Sequence, residues 1–554
     1  MIVQHCLRAL LWGAFAWTAW SWYHLFRNYR AARKIGIPLR VLPISHENPA
    51  WMIVDKVFVP LFKKIPFGTG SFTRYNWRGW EFEDKFRSHE ELGGAFVLVT
   101  PGRNWLYVCD PVALADIFQR RADFPRPLEI YEMTNVFGPN LSTTDGEQWQ
   151  RQRKVTASAF NELNNEMVWA ESLRQGHDMI AYWGRQQRVR TTSDDVRTFS
   201  LHVLSYAGFH KSYEFQGHDE RKEKGIATDY KESLKLILEN CVFLFVFGTR
   251  IIAKPWMPAK IRALHKAVLT FKNYMTDLYE SEKNAFAPGK SARTNLMSAL
   301  VREAQADKKG GLTESEFYGN MFLFNFAGHD TTAAALGFSF VLLATDPSTQ
   351  DWIHEELDDV FGDRDPSQWV YADFQRMPRC LAIMMESLRL YAPVPIAKST
   401  GKRPTALTVD GRTFTLPANT LVIPQHFAVH THPKIWGQDS LEWKPSRWIA
   451  ENGPQEGETI ITPQKGSYVA WSEGLRVCPG RKFSQVEFVA CMAAVFRDWY
   501  VEPVVYAGET MVQARNRVAK LVEEDTAIVL LLQMLHPERA PLVWKRWNRT
   551  SPPR

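Results

Sequence analysis

At 554 residues the chain is longer than a single hydrophobic core usually grows, and 45% hydrophobic with 23% charged residues is an ordinary globular balance. A net charge of +7, from 67 Lys and Arg against 60 Asp and Glu, is too diffuse to argue for nucleic acid, and no zinc-finger spacing is present. The six cysteines, Cys6, Cys109, Cys241, Cys380, Cys478 and Cys491, share no CxxC spacing, which speaks against a disulfide framework and for a reducing compartment.

Ala9 to Phe26 holds no Asp, Glu, Lys or Arg, near the minimum of ~18 residues for a membrane span. Arg27, Arg30, Arg33 and Lys34 follow, and only Arg8 precedes, so the positive-inside rule puts the C-terminal side in the cytosol. A cleaved signal peptide is the other reading; the late charge cluster and the lack of a clear cleavage site argue against it. The expectation is a single-pass anchor over 1–26 in the endoplasmic reticulum membrane. A basic, proline-containing linker over 27–49 and one large catalytic domain over 50–554 should follow. The aromatic segment Trp51–Phe67, with Lys63 and Lys64, reads equally as a membrane-surface stretch or a buried helix.

Ala95–Thr100 and Asn104–Cys109 flank Pro101-Gly102, which predicts a hairpin. Helical patterns dominate from Pro111. The clearest spans Thr313–Thr345; Thr313 and Glu316 form a capping box and Asp346-Pro347 closes it. It is apolar on most faces, so it should be buried. Further helices are predicted over Pro378–Tyr391 and Gly480–Trp499, and short strands over Leu407–Gly411 and Phe414–Pro417. The fold class is mainly α with small β-sheets.

Four constellations carry chemistry. Cys478 lies in a turn with Gly474, Arg476, Pro479 and Gly480, ahead of an apolar helical stripe from Phe483 to Phe496. A thiol that works as a thiolate metal ligand is favoured by such positive charge and a helix N-terminus. A single axial thiolate on a haem iron satisfies these features. Ala327-Gly328-His329-Asp330-Thr331-Thr332 places poor helix formers inside the long apolar helix, a broken local rule that points to function or to a kink. Glu386 and Arg389 share a helix face at i, i+3, and Trp149 and Arg153 share one at i, i+4.

In order, these motifs resemble the cytochrome P450 family. Trp471, Gly474, Arg476, Cys478 and Gly480 match its haem-binding loop F-x-x-G-x-R-x-C-x-G, with Trp471 in place of Phe and Leu475 where Pro is frequent. Gly328, Asp330 and Thr331 look like its A/G-G-x-D/E-T motif, and Glu386 with Arg389 its E-x-x-R motif. Pro445-Ser446-Arg447-Trp448 resembles its P-E-R-F/W segment, with Ser446 for Glu. Trp149 and Arg153 resemble its W-x-x-x-R helix. The resemblance covers about Gly93 to Trp499, and the AGHDTT helix and cysteine loop look like the fungal membrane-bound branch.

The resemblance implies the cytochrome P450 fold and haem b held by Cys478. Trp149, Arg153 and Lys398 are candidates for its propionates, and Trp471, Gly474, Arg476 and Gly480 for its pocket. Asp330 and Thr331 are implied as the catalytic pair that handles protons and oxygen, with His329 structural. Glu386, Arg389 and Arg447 are implied as a structural triad. The implied reaction inserts one atom of O2 into an apolar organic substrate. No flavin or dinucleotide fingerprint is present, so the electrons should come from NADPH through a cytochrome reductase. Arg151, Lys154 and Lys482 read either as a docking patch for that partner or as an ordinary solvated face; Phe137, Phe324 and Phe326 are candidates to line the substrate pocket, with a core role the equal reading for Phe324 and Phe326. Fungal secondary metabolism is the expected setting. The alternatives are a detoxifying monooxygenase, a haem-thiolate isomerase or dehydratase, and a non-catalytic membrane haem-binding sensor.

Overall fold

A computed structural model describes all residues except 1, 47, 66–69, 219–229, 286–294, 299, 302–310, 452–456 and 549–554. The elements that position the site, in chain order, begin with α1 (Ile2–Arg33), β1 (Leu39–Val41), α2 (Pro49–Lys63), β2 (Ala95–Val99) and β3 (Asn104–Val108). Next come α3 (Gly146–Ala159), α4 (Glu162–Trp183), α5 (Thr192–Phe209), α6 (Ala259–Ala285), α7 (Glu314–Thr345) and α8 (Pro378–Leu390). They are followed by β4 (Lys398–Ser399), β5 (Thr405–Val409), β6 (Arg412–Leu416) and β7 (Leu421–Pro424). The chain ends with α9 (Arg481–Phe496), β8 (Trp499–Pro503), α10 (Met511–Glu524) and β9 (Leu542–Arg546).

The architecture is mainly helical with small sheets. Among the described residues one sheet has five strands in the order β1-β2-β3-β7-β4, and the others pair two strands each. The hairpin forms as expected, with Val97 opposite Leu106. β5 and β6 pair with Leu407 opposite Phe414. Asp410 (φ 49°) and Gly411 (φ 74°) make the turn between them, the two left-handed positions that a short hairpin demands. At the centre α7 runs through the core, packed by α5 on one side and by α8 and α9 on others. Its capping box is complete: Glu316 N donates to Thr313 Oγ1 at 3.2 Å, and Thr313 N donates to Glu316 Oε2 at 2.9 Å. α9 packs along α4, and its end stops short of the expected Trp499 because that residue opens β8, paired with β9.

The N-terminal segment departs from expectation. Among the described residues no helix is long and apolar enough to cross a membrane, so a transmembrane anchor over 1–26 is not supported. The stretch lacks charge, but Trp12, Trp17, Trp20, Trp22, Tyr23 and His24 carry polar atoms that favour an interface over hydrocarbon. Freedom from charge is a weaker condition than apolarity. α1 also continues past Phe26, and its end belongs to the domain: Leu25 and Ala32 are buried, and Asn28 Nδ2 donates to the Thr100 carbonyl at 2.9 Å. β1 pairs in parallel with β2, so residues 27–49, read as a linker, contribute a strand to the sheet. In the Trp51–Phe67 segment, α2 buries Trp51 and Val59 and exposes Val57 and Leu61; residues 66 and 67 lie outside the described residues.

Candidate active site

Cys478 sits in a turn built by close backbone contacts. Its N–H donates to the Trp471 carbonyl at 2.9 Å. Gly474 has φ 70°, and a Cβ there would lie 2.5 Å from the Phe118 carbonyl oxygen, so only glycine fits. The Trp471 indole N–H, a polar atom that Phe would not bring, donates to Ser484 Oγ at 3.2 Å. The sulfur opens into a cavity of about 300 Å³ whose wall includes Trp149, Arg153, Leu204, Phe324, Thr331, Leu388, Arg476 and Phe483. Burial raises the Cys478 thiol, against the Gly480 backbone N–H and the charges of Arg153 and Arg481. A metal cation at the sulfur would reverse that balance.

One part of the cavity wall is strongly cationic. Arg126, Arg153 and Arg476 line it. Lys398, 3% exposed, stands outside the wall but close enough that Arg126 and Arg476 act on its charge. Burial, then Arg126 and Arg476, push Lys398 down to about 7; burial and then Arg126 push Arg476 down to about 10 against the pull of Asp145. Trp149 is held between Arg121 and Arg476, whose guanidinium carbons lie 4.6 and 4.5 Å from its ring. The carboxylate facing these cations is Asp145, already shared by Arg476 at 2.7 Å and Arg121 at 3.8 Å. Among the described residues, the buried Arg476 Nε has no hydrogen-bond partner. Arg476 and Lys398 are buried and Arg126 and Arg153 half-buried, and this surplus of cations beside apolar walls and a free thiol fits an apolar group that carries negative charge and a metal that takes sulfur.

The expected triad comes together. Glu386 and Arg389 have fully buried side chains and are paired at 2.8 Å, and Arg447 Nε reaches Glu386 at 2.9 Å. Glu386 accepts five hydrogen bonds, the others coming from the Lys444 N–H and the Trp448 indole. Arg447 also pairs with Asp439 at 3.2 Å. The link to the cysteine turn runs through His430. Its Nε2 accepts from the Val469 N–H at 2.9 Å, which leaves Nδ1 to donate to the Arg389 carbonyl at 3.1 Å.

Other expectations divide. Thr331 lines the cavity, and its hydroxyl donates back to the Ala327 carbonyl at 2.8 Å. Asp330 does not line it. It faces a second cavity of about 280 Å³ and accepts from Arg197 Nε at 3.2 Å. His329 is buried beside it, as a structural residue would be. Phe324 is on the main cavity wall, but Phe137 packs on Phe271 and Phe322, and Phe326 stacks on Phe322. Of the three cations expected to dock a partner, only Lys154 is exposed. Arg151 is tied to Glu316 at 2.8 Å, and Lys482 lies 3.9 Å over the Phe374 ring. Sequence reasoning missed Arg126, Arg121 and Arg197; they become visible only when the fold closes distant segments on one another.

A mainly helical protein with a thiol in a cation-edged cavity is the class these observations define. The cytochrome P450 family pattern matches residues 72–523, and the chain belongs to the cytochrome P450 family. It is 29% identical over 506 residues to the cytochrome P450 monooxygenase ORF6 of Penicillium roqueforti (strain FM164), covering 85% of this chain and 87% of that protein. It is 29% identical over 545 residues to the phomenoic acid biosynthesis cluster cytochrome P450 monooxygenase of Leptosphaeria maculans, covering 88% and 91%. The crystal structure of the cytochrome P450DA heme domain is similar with a TM-score of 0.65 and 18% identity, over 84% of this chain and 93% of that one, a likeness of fold. The chain is thus a P450 monooxygenase with fungal relatives. Membership implies a haem-thiolate cofactor, an electron-transfer partner, dioxygen and an organic substrate.

Proposed function

We propose that the protein is a haem b monooxygenase with Cys478 as the axial ligand, and that it inserts one oxygen atom of O2 into an apolar organic substrate in fungal secondary metabolism. The observation that carries this reading is the Cys478 sulfur opening into the same cavity as Arg126, Arg153, Arg476 and Thr331. Bound there, haem would supply reductive activation of dioxygen, its thiolate ligand favouring O–O cleavage. Arg153, Arg476, Arg126 and Trp149 would hold its carboxylates. Leu204, Leu323, Phe324 and Ile396 give the substrate an apolar wall that excludes water. Thr331 would present its hydroxyl to the reacting oxygen, and Asp330 would exchange protons with solvent through the second cavity. The biosynthetic-cluster relative supports the metabolic setting.

Electrons would come from NADPH through a cytochrome reductase at the cytosolic face of the endoplasmic reticulum. Exposed Trp12, Trp17, Trp20 and Trp22 on α1, followed by Arg27 and Arg30, support a membrane-surface location. The deciding experiment is the reduced carbon-monoxide difference spectrum beside Cys478→Ala, followed by oxygen- and NADPH-dependent turnover. A long-wavelength Soret band lost in the variant is expected. A histidine-type band in folded protein would end the ligand assignment, and product formation without oxygen would turn the reading to an isomerase or dehydratase.

A further inference from the structure

Lys85 follows the short helix Trp80–Asp84 with φ 54° and ψ −122°, a backbone conformation that suits glycine and strains any other residue. The side chain at this strained position is a buried cation. Lys85 is 4% exposed, and its ammonium lies 3.4 Å from the centre of the Phe82 ring and 3.2 Å from Glu523 Oε1. Among the described residues that carboxylate is its one ionic partner. Glu523, on α10, accepts from the Tyr391 hydroxyl on its other oxygen at 3.4 Å. Tyr391 is buried and stacks on Phe338 of α7, with ring centres 4.6 Å apart.

Two routes lead from Glu523 to the main cavity. The first runs through Tyr391, because Pro393, Val394, Pro395 and Ile396 just after it line the cavity. The second runs along the chain. Beyond Glu523 the strands Thr526–Ile528 and Leu532–Met534 pair as a hairpin, and the Leu532 N–H donates to the Pro393 carbonyl at 2.9 Å. Glu523 itself is half-exposed, so the buried lysine is what ties it to the body of the domain.

We propose that Lys85 is a positioning residue for substrate: its ammonium anchors Glu523 and so fixes the 393–396 wall against which a bound molecule rests. The proposal rests on the monooxygenase reading of this cavity given above. Burial pushes the ammonium down to about 8, with repulsion from Arg87 and Arg389 added and the pull of Glu523 opposing. Burial raises the Tyr391 hydroxyl, which therefore stays a neutral donor. Below pH 8 Lys85 is charged and the anchor holds. Above it the lysine is neutral, and Glu523 keeps the tyrosine hydroxyl alone and turns to solvent.

The test uses the full-length haem-loaded protein and titrates it with two azoles, read by the Soret shift. Imidazole reaches only the iron, whereas the triaryl group of clotrimazole presses on the walls. In Lys85→Met and in Glu523→Gln the clotrimazole Kd is expected to rise at least about 5-fold, the low end of coupling between separate sites, while the imidazole Kd holds. The clotrimazole difference between wild type and each variant is expected to close as pH rises through 8, because the wild type then loses the same ion pair. Wild-type affinity in both variants, a loss shared by imidazole, or a difference constant with pH overturns the proposal. If Lys85→Met does not fold, the half-exposed Glu523→Gln and its pH profile decide alone. The carbon-monoxide spectrum separates the two levels. An intact thiolate band with clotrimazole binding indifferent to both variants rejects Lys85 alone, whereas no thiolate band in the wild type rejects the monooxygenase reading beneath it.

Discussion

Asp330 and Thr331 are neighbours in the chain and open into different cavities. Successive residues on an α-helix point roughly 100° apart, so adjacency in a motif does not mean adjacency in a site. Thr331 faces the cysteine cavity while Asp330 is held by Arg197. Asp330→Asn is expected to lower product formation by roughly 10²-fold, the scale of a lost acid–base group. The Arg197 pair is partly exposed, so the stability cost should be about 1 kcal/mol or less. Turnover measured beside thermal unfolding checks this; an activity loss explained by a lowered Tm would remove Asp330 from the mechanism.

Glu386→Gln should be far more damaging to the fold. It removes the charge that Arg389 and Arg447 share in a fully buried position. Breaking such a pair from one side costs about 3–5 kcal/mol. Denaturant unfolding should show this loss, and the Val469 link through His430 predicts that haem content falls with it. A variant with wild-type stability would mean that the two arginines find other partners.

Gly474→Ala combines two penalties: a left-handed backbone and a Cβ 2.5 Å from the Phe118 carbonyl. Together they should cost about 1–3 kcal/mol. Because the residue lies four before Cys478 in the same turn, the expected signature is a weakened thiolate band in the carbon-monoxide spectrum of protein that is still folded. A full-strength band would show that the turn can relax.

The acid limb of stability should depend on Glu316. Burial would raise its carboxyl, but hydrogen bonds from Arg151, the Thr313 backbone, Gln148 and Gln152 outweigh burial and hold it at about 2, below the ordinary 4.5. A lowered carboxyl stabilises the fold above pH 4.5, and that contribution fades as pH falls toward 2. Glu316→Gln should lower stability at neutral pH and flatten the loss on acidification. Glu356 works in the opposite sense: burial raises it to about 7, so its effect on stability turns unfavourable as pH rises from 4.5 through 7. Unfolding curves at several pH values separate the two.

The helices around the cysteine and AGHDTT motifs were legible in the sequence because their signals are local. A capping box, a proline stop and an apolar run need no knowledge of the rest of the chain, and α7 begins within a residue of expectation. The triad was legible only through resemblance, since nothing in the spacing of Glu386 points to Arg447. Arg197 and Asp330 are separated by 133 positions, and no period connects them. Arg151 looked like a surface charge because its helix is polar; its partner Glu316 belongs to a cap read for a different purpose. The anchor is unsupported for a chemical reason: tryptophan and histidine carry no charge but are not hydrocarbon.

Arg476, two residues before Cys478, donates to the carbonyls of Leu141 and Thr144, 335 and 332 positions earlier. During synthesis those carbonyls leave the ribosome long before the arginine that will satisfy them. At about 5–20 residues per second the wait is roughly 17–67 seconds. For that interval the nascent chain carries Trp149 and Arg153 without the cysteine turn or α9 to pack on them. The order of the chain therefore makes completion of this cavity wall a late event, one that waits for the cysteine turn itself to be synthesised.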